Sequence, residues 1–597
     1  MHKSALIGYI FGTLLLNSIC VNAQTKKDSE EKKSITKKAF QEGLKLISTT
    51  PNDTIVNIQS TDPFIEHSGK IIRYIFIERI GFEKSIYDST KKVKKTVTNI
   101  ANALHSNTRE KIIYQHLFLH QHELVNPAKL SDNERFLRDL DFILDSRIVI
   151  IPVAGTDSVD LTVITRDVFS LGGSLGGSLP SAPKISVFDA NVSGRGQRIE
   201  YTALINQERT PTVGHALYYR KSSAFGSFAN IELGFTQLNT GRSYGEENEY
   251  AIFTRINRPL VSPYSRLAGG FEISRNWSEN VFNDPDSVFI KYRYSVFDTW
   301  FGYNLGIHRK IADRKRLFLA VRYFNGSYQD QPEQAEYLEE RLYNDLYGTL
   351  TEFTFYKQDY FKTRYVFGFG RTEDVPYGIS LAVSSGYFRE VAIERPYTGI
   401  KFNYSWASKK GNFYKLTVQS GAYYRNKEAE DAVLQVGAAY YTRVWNMNRY
   451  KLRSDISNSY TNIFNRKVSE PLHLNKNFIP GFNTDDLDAN SRTATHVEST
   501  LFTPWMLLGF RFAPFVSADI VHLKCLSCGQ IDKTFLGISS GLRTRNENLI
   551  FGTMELKATY VPSNAFGEPE FIFSFKQNVR IKNTGTFVHA PSLIRYN

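Results

Sequence analysis

Residues 550–560 have the sequence IFGTMELKATY, in which apolar and polar side chains alternate. Leu556 and Tyr560 fall on one face of an extended strand, whereas Glu555 and Lys557 fall on the other. A face that carries charges in many strands cannot be the dry interior of a sandwich, because each buried unpaired charge costs several kcal/mol. A water-filled lumen tolerates such charges, so the pattern predicts a β-barrel.

The same alternation extends over residues 167–597. Segments of ~9–13 residues are separated by turn residues, which is typical of transmembrane β-barrels. The 43 Phe and 34 Tyr fit aromatic girdles at the two membrane interfaces. We count roughly eighteen to twenty candidate strands from this pattern.

Composition narrows the class of protein further. The chain has 597 residues and a mean hydropathy of −0.32, with only one long apolar run. A polytopic helical membrane protein is therefore excluded. The net charge of +13 fits contact with anionic surfaces, but without a concentrated basic motif it does not predict nucleic-acid binding.

The N-terminus predicts export from the cytoplasm. Residues 1–23 have the features of a secretory signal peptide, with an apolar stretch and the small-x-small site Val21-Asn22-Ala23. Cys20 raises the alternative of a lipoprotein, but Ile19 is not the small residue expected before a lipidated cysteine. Residues 24–69 are expected to form a polar linker.

A small α/β module is predicted at residues 70–166. Residues 71–80 are rich in β-branched and aromatic side chains, and two further strands are expected at 147–153 and 158–165. One helix is expected to start near Asn107. A capping box at residues 131–134 predicts the start of a second helix. The apolar face of that second helix would carry Phe136, Leu137, Leu140, Ile143 and Leu144.

This βααββ order resembles a POTRA domain, the periplasmic module of the BamA/TamA-like outer-membrane assembly and translocation superfamily. The residues that carry the resemblance are Lys70-Ile71-Ile72-Arg73, Asn126-Pro127, and the segments 133–138 and 157–163. The resemblance implies one POTRA-like domain followed by a surface-antigen-type barrel of about 16 strands. On that basis we expect some candidate strands in 280–300 and 330–375 to be loop hairpins or halves of one strand.

Two barrel motifs support the resemblance. Asn191, Gly194 and Gly196 match the Asn-x-x-Gly-x-Gly turn near the start of superfamily barrels. Ile479-Pro480-Gly481-Phe482 occupies the place of a V/I-R-G-F/Y motif on a loop that folds into the lumen. Five predicted strands follow that loop, as in the superfamily.

The lumen-loop motif departs from the family at one position. Pro480 stands where the family has an Arg that pairs with an acidic residue on the barrel wall, and Glu498 is the candidate wall position. Proline offers neither a charge nor a donor. Either another cation, with Arg492 nearest, replaces that Arg, or packing of Phe482 holds the loop.

The remaining motifs are weak. Gly172-Gly173-Ser174-Leu175-Gly176 matches a nucleophile-elbow string, but no helix is predicted after Ser174, so an esterase is a minor alternative. His116 and His120 are spaced as metal ligands on a helix but lack a HExxH motif. Cys525 and Cys528 are a candidate disulfide pair. We expect no enzymatic activity, cofactor or metal.

The resemblance implies a bacterial outer-membrane protein with its N-terminal domain in the periplasm. Its expected function is insertion or translocation of proteins or lipids. Unfolded or secreted polypeptides would be the clients, bound by strand addition, with periplasmic or lipoprotein accessory partners. The alternative is a passive channel or structural barrel whose module is only a docking domain.

Overall fold

The structure is a computed structural model of the whole chain. It describes residues 57–80, 106–178, 180–242, 248–263, 265–305, 314–337, 340–366, 368–468, 472, 479, 489–507, 509–525, 531–547, 549–550, 552–563, 567–578 and 587–594. The predicted signal peptide and Cys20 lie outside these residues. Within them, no helix has the length and apolar character needed to cross a bilayer.

The N-terminal module has the predicted element order. Its elements are β1 (Ile71–Ile80), α1 (Glu110–Tyr114), α2 (Pro127–Arg138), β2 (Ile143–Pro152) and β3 (Ser158–Asp167). The sheet order is β1-β3-β2, with β1 parallel and β2 antiparallel to β3. The apolar face of α2 packs on this sheet through Leu130 and Leu137. Phe64, from the predicted linker, also lies in the module core.

Helix α2 begins earlier than the sequence predicted. The Asn126 side-chain oxygen accepts hydrogen bonds from the backbone N–H groups of Ala128 and Lys129, each at 3.0 Å. Pro127 then sets the first helical φ, so this start takes precedence over the predicted capping box at 131–134. The helix also ends at Arg138, and the predicted apolar face was therefore wrong: Leu140 follows the helix, and Ile143 and Leu144 belong to β2.

The rest of the chain forms a large antiparallel β-barrel. The first ten strands are β4 (Leu171–Ser178), β5 (Ala182–Asp189), β6 (Gln197–Ile205), β7 (Val213–Lys221), β8 (Asn230–Asn239), β9 (Glu249–Arg258), β10 (Leu267–Ser278), β11 (Arg293–Asn304), β12 (Lys315–Asp330) and β13 (Leu346–Thr363). The others are β14 (Glu373–Glu390), β15 (Ile393–Ala407), β16 (Phe413–Arg425), β17 (Glu428–Tyr441), β18 (Tyr450–Phe464), β19 (Ser491–Phe502), β20 (Phe510–Cys525), β21 (Ile531–Arg545), β22 (Thr553–Val561) and β23 (Glu570–Asn578).

Several short elements complete the described structure. Short strands lie at Ile58–Gln59, Trp445–Met447 and Met506–Leu507, and 3-10 helices at Asp62–His67, Val192–Gly194, Ala224–Gly226, Ala335–Tyr337 and Arg341–Tyr343.

The barrel has 20 strands over the described residues, so the expectation of about 16 was wrong. The regions 280–300 and 330–375, where we expected loop hairpins or halves of one strand, contain most of β11 and all of β13. Both are full wall strands of 12 and 18 residues, paired on both sides. The period-2 count of eighteen to twenty strands was therefore a better guide than the family count.

The predicted alternation is confirmed. On β22, Leu556 points outward with 59% of its surface exposed, whereas its neighbour Lys557 is 6% exposed and faces the lumen. On β12, Leu317 and Val321 point outward and Arg316 is buried. Exposed apolar side chains recur on the outer face of the described strands, and many charged side chains are buried on the inner face.

Candidate functional site: the barrel seam and lumen

The junction between the first and last barrel strands differs from every other junction in the ring. Continuous backbone ladders join the other neighbouring strands, and β4 is fully paired with β5 and β23 with β22. The strands β4 and β23 are hydrogen-bonded neighbours in the sheet order, but over the described residues they contact each other less extensively than any other pair of neighbouring wall strands. The Gln577 side chain adds to this contact. Its Nε2 donates to the Gly173 carbonyl at 2.8 Å, and its Oε1 accepts from the Leu175 N–H at 3.1 Å. The ring is therefore nearly closed, with one weak seam.

The sequence of β4 explains why this seam is weak. Four of its eight residues are glycines, which have low strand propensity and no side chain to pack across a junction. On the lumen side, a Cβ at Gly172 would lie 2.5 Å from side-chain atoms of Ile550 and Phe188, so a larger residue there would require these side chains to move. Ser174 lies in the middle of β4, paired with Ser186, and the strand-to-helix turn of a nucleophile elbow is not found at this position.

The predicted Asn-x-x-Gly-x-Gly turn joins the barrel to the module. Asn191 is buried, donates to the Thr108 hydroxyl at 2.8 Å and accepts from the Gly196 N–H at 2.7 Å. Gly194 has φ +67°, and a Cβ there would lie 2.2 Å from the Asn107 carbonyl oxygen. Glycine is required at this position by both the backbone conformation and the close approach. The turn therefore docks the module on the barrel.

Helix α2 presents a buried polar face to the barrel end. Asp132 pairs with Arg314 at 2.9 Å, and Arg138 pairs with Asp374 on β14 at 2.7 Å. Its side chains Asp132, Glu134, Arg135 and Arg138 are all buried. A polar helix face of this kind is ordinarily solvated, but here the barrel supplies partners for its charges.

Two further contacts hold the same helix. Glu134 forms an ion pair with Lys362 on β13 and accepts from the Ile148 N–H at 3.1 Å. The Arg135 guanidinium lies 4.3 Å from the centroid of the Tyr360 ring, a cation–π distance. Sequence reasoning missed this docking face, because nothing in the helix indicates which distant strand ends pair with it.

The charge on Glu134 makes the docking sensitive to acid. Burial alone would raise the pKa of its carboxyl, but the charges of Lys362 and Arg138 outweigh burial and hold that pKa at about 2, against 4.5 ordinarily. A carboxyl with a lowered pKa contributes stability above its ordinary pKa and loses it as the pH falls from 4.5 toward 2.

We therefore expect hydrogen exchange in α2, corrected for intrinsic rates, to become faster relative to the barrel strands as the pH falls through this window. Glu134→Gln should make that acceleration smaller, because the remaining interface carboxylates still titrate. An exchange profile independent of pH would show that the Glu134 ion pair does not hold the helix.

The predicted lumen loop is described only at Ile479. Ile479 is fully buried in an apolar cluster with Val521, Phe535 and Val561 on the inner wall. This position places the Ile479 end of the motif inside the barrel. Pro480, Gly481 and Phe482 lie outside the described residues.

The candidate wall residue Glu498 pairs with Arg543, a cation that the sequence did not suggest. Arg543 on β21 contacts both carboxylate oxygens of Glu498, with Nη2 at 2.8 Å, and its Nε lies 2.7 Å from Glu555. Thus the wall itself supplies the charge that Pro480 cannot. The sequence did not suggest Arg543, because it lies two strands away from Glu498. Its proximity to Glu498 follows only from the register of β19 with β20 and of β20 with β21.

The other candidate sites do not assemble into a reactive centre. His116 is buried, with Nδ1 2.6 Å from the Ile112 carbonyl, and burial lowers its pKa to about 4. His120 pairs instead with Glu123. Over the described ranges, no three His, Cys, Asp or Glu side chains are placed to hold a metal ion. Cys525 is disulfide-bonded, and Cys528 lies outside the described residues.

No family model and no curated protein matches the chain. Among solved structures, BamA from Haemophilus ducreyi lacking POTRA domains 1–3 is similar at 10% identity and a TM-score of 0.34, covering 93% of this chain and 95% of that one. CdiB from Acinetobacter baumannii gives 10% identity and 0.39, covering 96% and 87%. CdiB from Escherichia coli gives 10% identity and 0.37, covering 94% and 98%.

The class that the fold defines is a large antiparallel β-barrel with an α/β module docked at one end. The likeness to BamA and CdiB is one of barrel fold.

Proposed function

We propose that this chain is a bacterial outer-membrane barrel that inserts or translocates polypeptides, with its seam as the site where a client strand is engaged. The observation that carries the proposal is the junction of β4 and β23, which over the described residues is the least extensive contact between neighbouring wall strands and which the Gln577 side chain supplements. Opening it would expose two strand edges, whose N–H and C=O groups can pair with an extended chain of any sequence.

The exterior of the barrel supports a membrane location. Phe571 and Phe573 on β23 are 70% and 77% exposed, and Leu175 on β4 also points outward. Exposed apolar side chains continue around the ring, which suits lipid and not water. A client strand added at the seam would therefore emerge directly against the hydrocarbon phase.

The module is a weaker candidate for strand addition than the seam. At one sheet edge, Ile148 and Ser146 of β2 are already bonded by Glu134 and Arg138. At the other edge, Ile72 of β1 exchanges backbone hydrogen bonds with residues 122–123. We propose that this POTRA-like module lies in the periplasm and contacts clients or accessory proteins through its remaining surface. We propose no enzymatic, cofactor or nucleic-acid role.

Depletion of the protein tests this proposal against the passive channel. We expect a set of outer-membrane or secreted polypeptides to decrease in the membrane fraction and to accumulate as unfolded periplasmic species, as quantified by proteomics. Re-expression of the unaltered chain should restore them. An unchanged outer-membrane proteome with slower uptake of a small solute would favour the channel and contradict the proposal.

A further inference from the structure

A segment that follows the last barrel strand lies inside the lumen. Residues 587–594 run along the inner wall and place three apolar side chains in separate wall clusters. Val588 packs among residues that include Phe318 and Tyr356, and Leu593 packs against the cluster of Leu350 and Phe388. Ile594 joins the cluster that contains Ile479. No motif predicted this segment, although its apolar residues lie beyond the last predicted strand.

The wall holds this segment mainly through its backbone. Gln358 Oε1 accepts from the Phe587 N–H at 3.1 Å, and the Tyr397 hydroxyl oxygen accepts from the Ile594 N–H at 3.2 Å. Arg322 Nη1 donates to the Pro591 carbonyl at 2.8 Å. Lys401 Nζ donates to the Ser592 carbonyl at 2.7 Å and to its hydroxyl at 2.9 Å. Four of these five hydrogen bonds use groups that any polypeptide would offer.

The two cations of this track are fixed by acidic wall residues. Arg322 makes a two-pronged ion pair with Asp298 on the neighbouring strand, which leaves Nη1 for the segment. Lys401 pairs with Glu352 at 3.1 Å. Their donors therefore point into the lumen in a set geometry, and little side-chain entropy is lost when a peptide carbonyl arrives.

The contacts show the course of the segment across the inner wall. Phe587 and Pro591 contact Gln358 on β13 and Arg322 on β12, whereas Ser592 and Ile594 contact Lys401 and Tyr397 on β15. The segment bends at Phe587 and Ala590, so the track follows one backbone segment from β12 and β13 to β15.

We propose that this track, formed by Arg322, Gln358, Tyr397 and Lys401, is a binding site for the backbone of one polypeptide segment. In the resting chain, residues 587–594 fill it as a releasable plug. The plug must leave before another segment can enter the lumen. That a client takes its place rests on the proposed function, whereas occupation by the chain's own segment does not.

Planar-bilayer recording tests the proposal without any client. A variant that ends at residue 586 should show a severalfold higher single-channel conductance than the full chain. A synthetic peptide of residues 585–597 should block that conductance, and so should a scrambled peptide of the same composition, since the track binds backbone. The full chain should be far less sensitive to both peptides.

A point variant of the full chain tests the proposal even if the truncated chain misfolds. Lys401→Met in the full chain should raise the open probability, whereas Lys557→Met, at a lumen lysine that pairs with Asp519, should not. Both variants should retain the heat-dependent gel migration of a folded barrel. Conductance unchanged by truncation and by Lys401→Met would overturn the plug, and block by the native peptide alone would overturn backbone recognition. Depletion without effect on other proteins would contradict the proposed function but leave these results intact.

Discussion

Oxidation of a cysteine pair introduced at Leu175 and Gln577 is expected to reduce client insertion to near zero, and reduction is expected to restore it. The Gln577 carboxamide already reaches the Leu175 N–H at 3.1 Å, so the two positions lie close across the seam. A covalent bond there would prevent β4 and β23 from separating. If clients enter by strand addition at this edge, no other junction in the ring offers an equally weak substitute, because more extensive ladders join the other wall strands over the described residues.

The control is a second cysteine pair on a closed ladder. Leu217 and Phe235 are direct partners on β7 and β8, both on the outer face. Cross-linking Leu217→Cys to Phe235→Cys should leave insertion of a model barrel client into proteoliposomes unchanged. The unaltered chain, taken through the same redox cycle, accounts for the native disulfide at Cys525. Full activity of the oxidised seam variant would rule out the seam as the entry site.

Replacement of Arg138 by methionine is expected to destabilise the docked module by about 3–5 kcal/mol, since it removes one partner from a buried ion-pair network. Arg138 contacts Asp374 at 2.7 Å and Glu134 at 2.6 Å, and donates to the Ser146 carbonyl at 2.8 Å. Methionine keeps much of the packing but leaves these acceptors in a buried site. The measurement is the denaturant dependence of protease resistance in the module.

Arg73→Met provides the matched control. Arg73 also pairs with an aspartate, Asp160 at 2.6 Å, but its side chain is 45% exposed on the open face of the sheet. Water can replace that interaction, so little change is expected. Equal effects of the two substitutions would mean that the interface of α2 with the barrel does not stabilise the module.

The features predicted from sequence are those set by local periodicity or local backbone geometry. The two faces of β22 follow directly from the alternation in residues 553–561, and five wall strands, β19 to β23, follow the lumen loop as predicted. Asn191 and Gly194 were found through the resemblance to the family's turn motif, and a tight turn of this kind requires such residue types. The number of strands was predicted wrongly because the family's count of about 16 was preferred to the count of eighteen to twenty from the alternation.

The features that could not be predicted depend on contacts between residues far apart in the chain. The capping box at 131–134 is a valid local signal, but Asn126 and Pro127 provide an earlier helix start that also places the charges of α2 toward the barrel. The partners of those charges lie more than 180 residues away. Similarly, the pairing of Glu498 with Arg543 requires the register of two successive ladders.

The position of the docked module has a mechanical consequence. Its last strand, β3, continues within a few residues into β4, the first strand of the ring, while α2 is clamped to Lys362 and Asp374 on the tenth and eleventh of the 20 strands. Those strands lie across the ring from the seam. The module is therefore a strut that spans the mouth of the barrel from its weakest junction to the opposite wall. We therefore expect a force that a bound protein applies to the module to act on both attachments, and release of α2 to favour separation of β4 from β23.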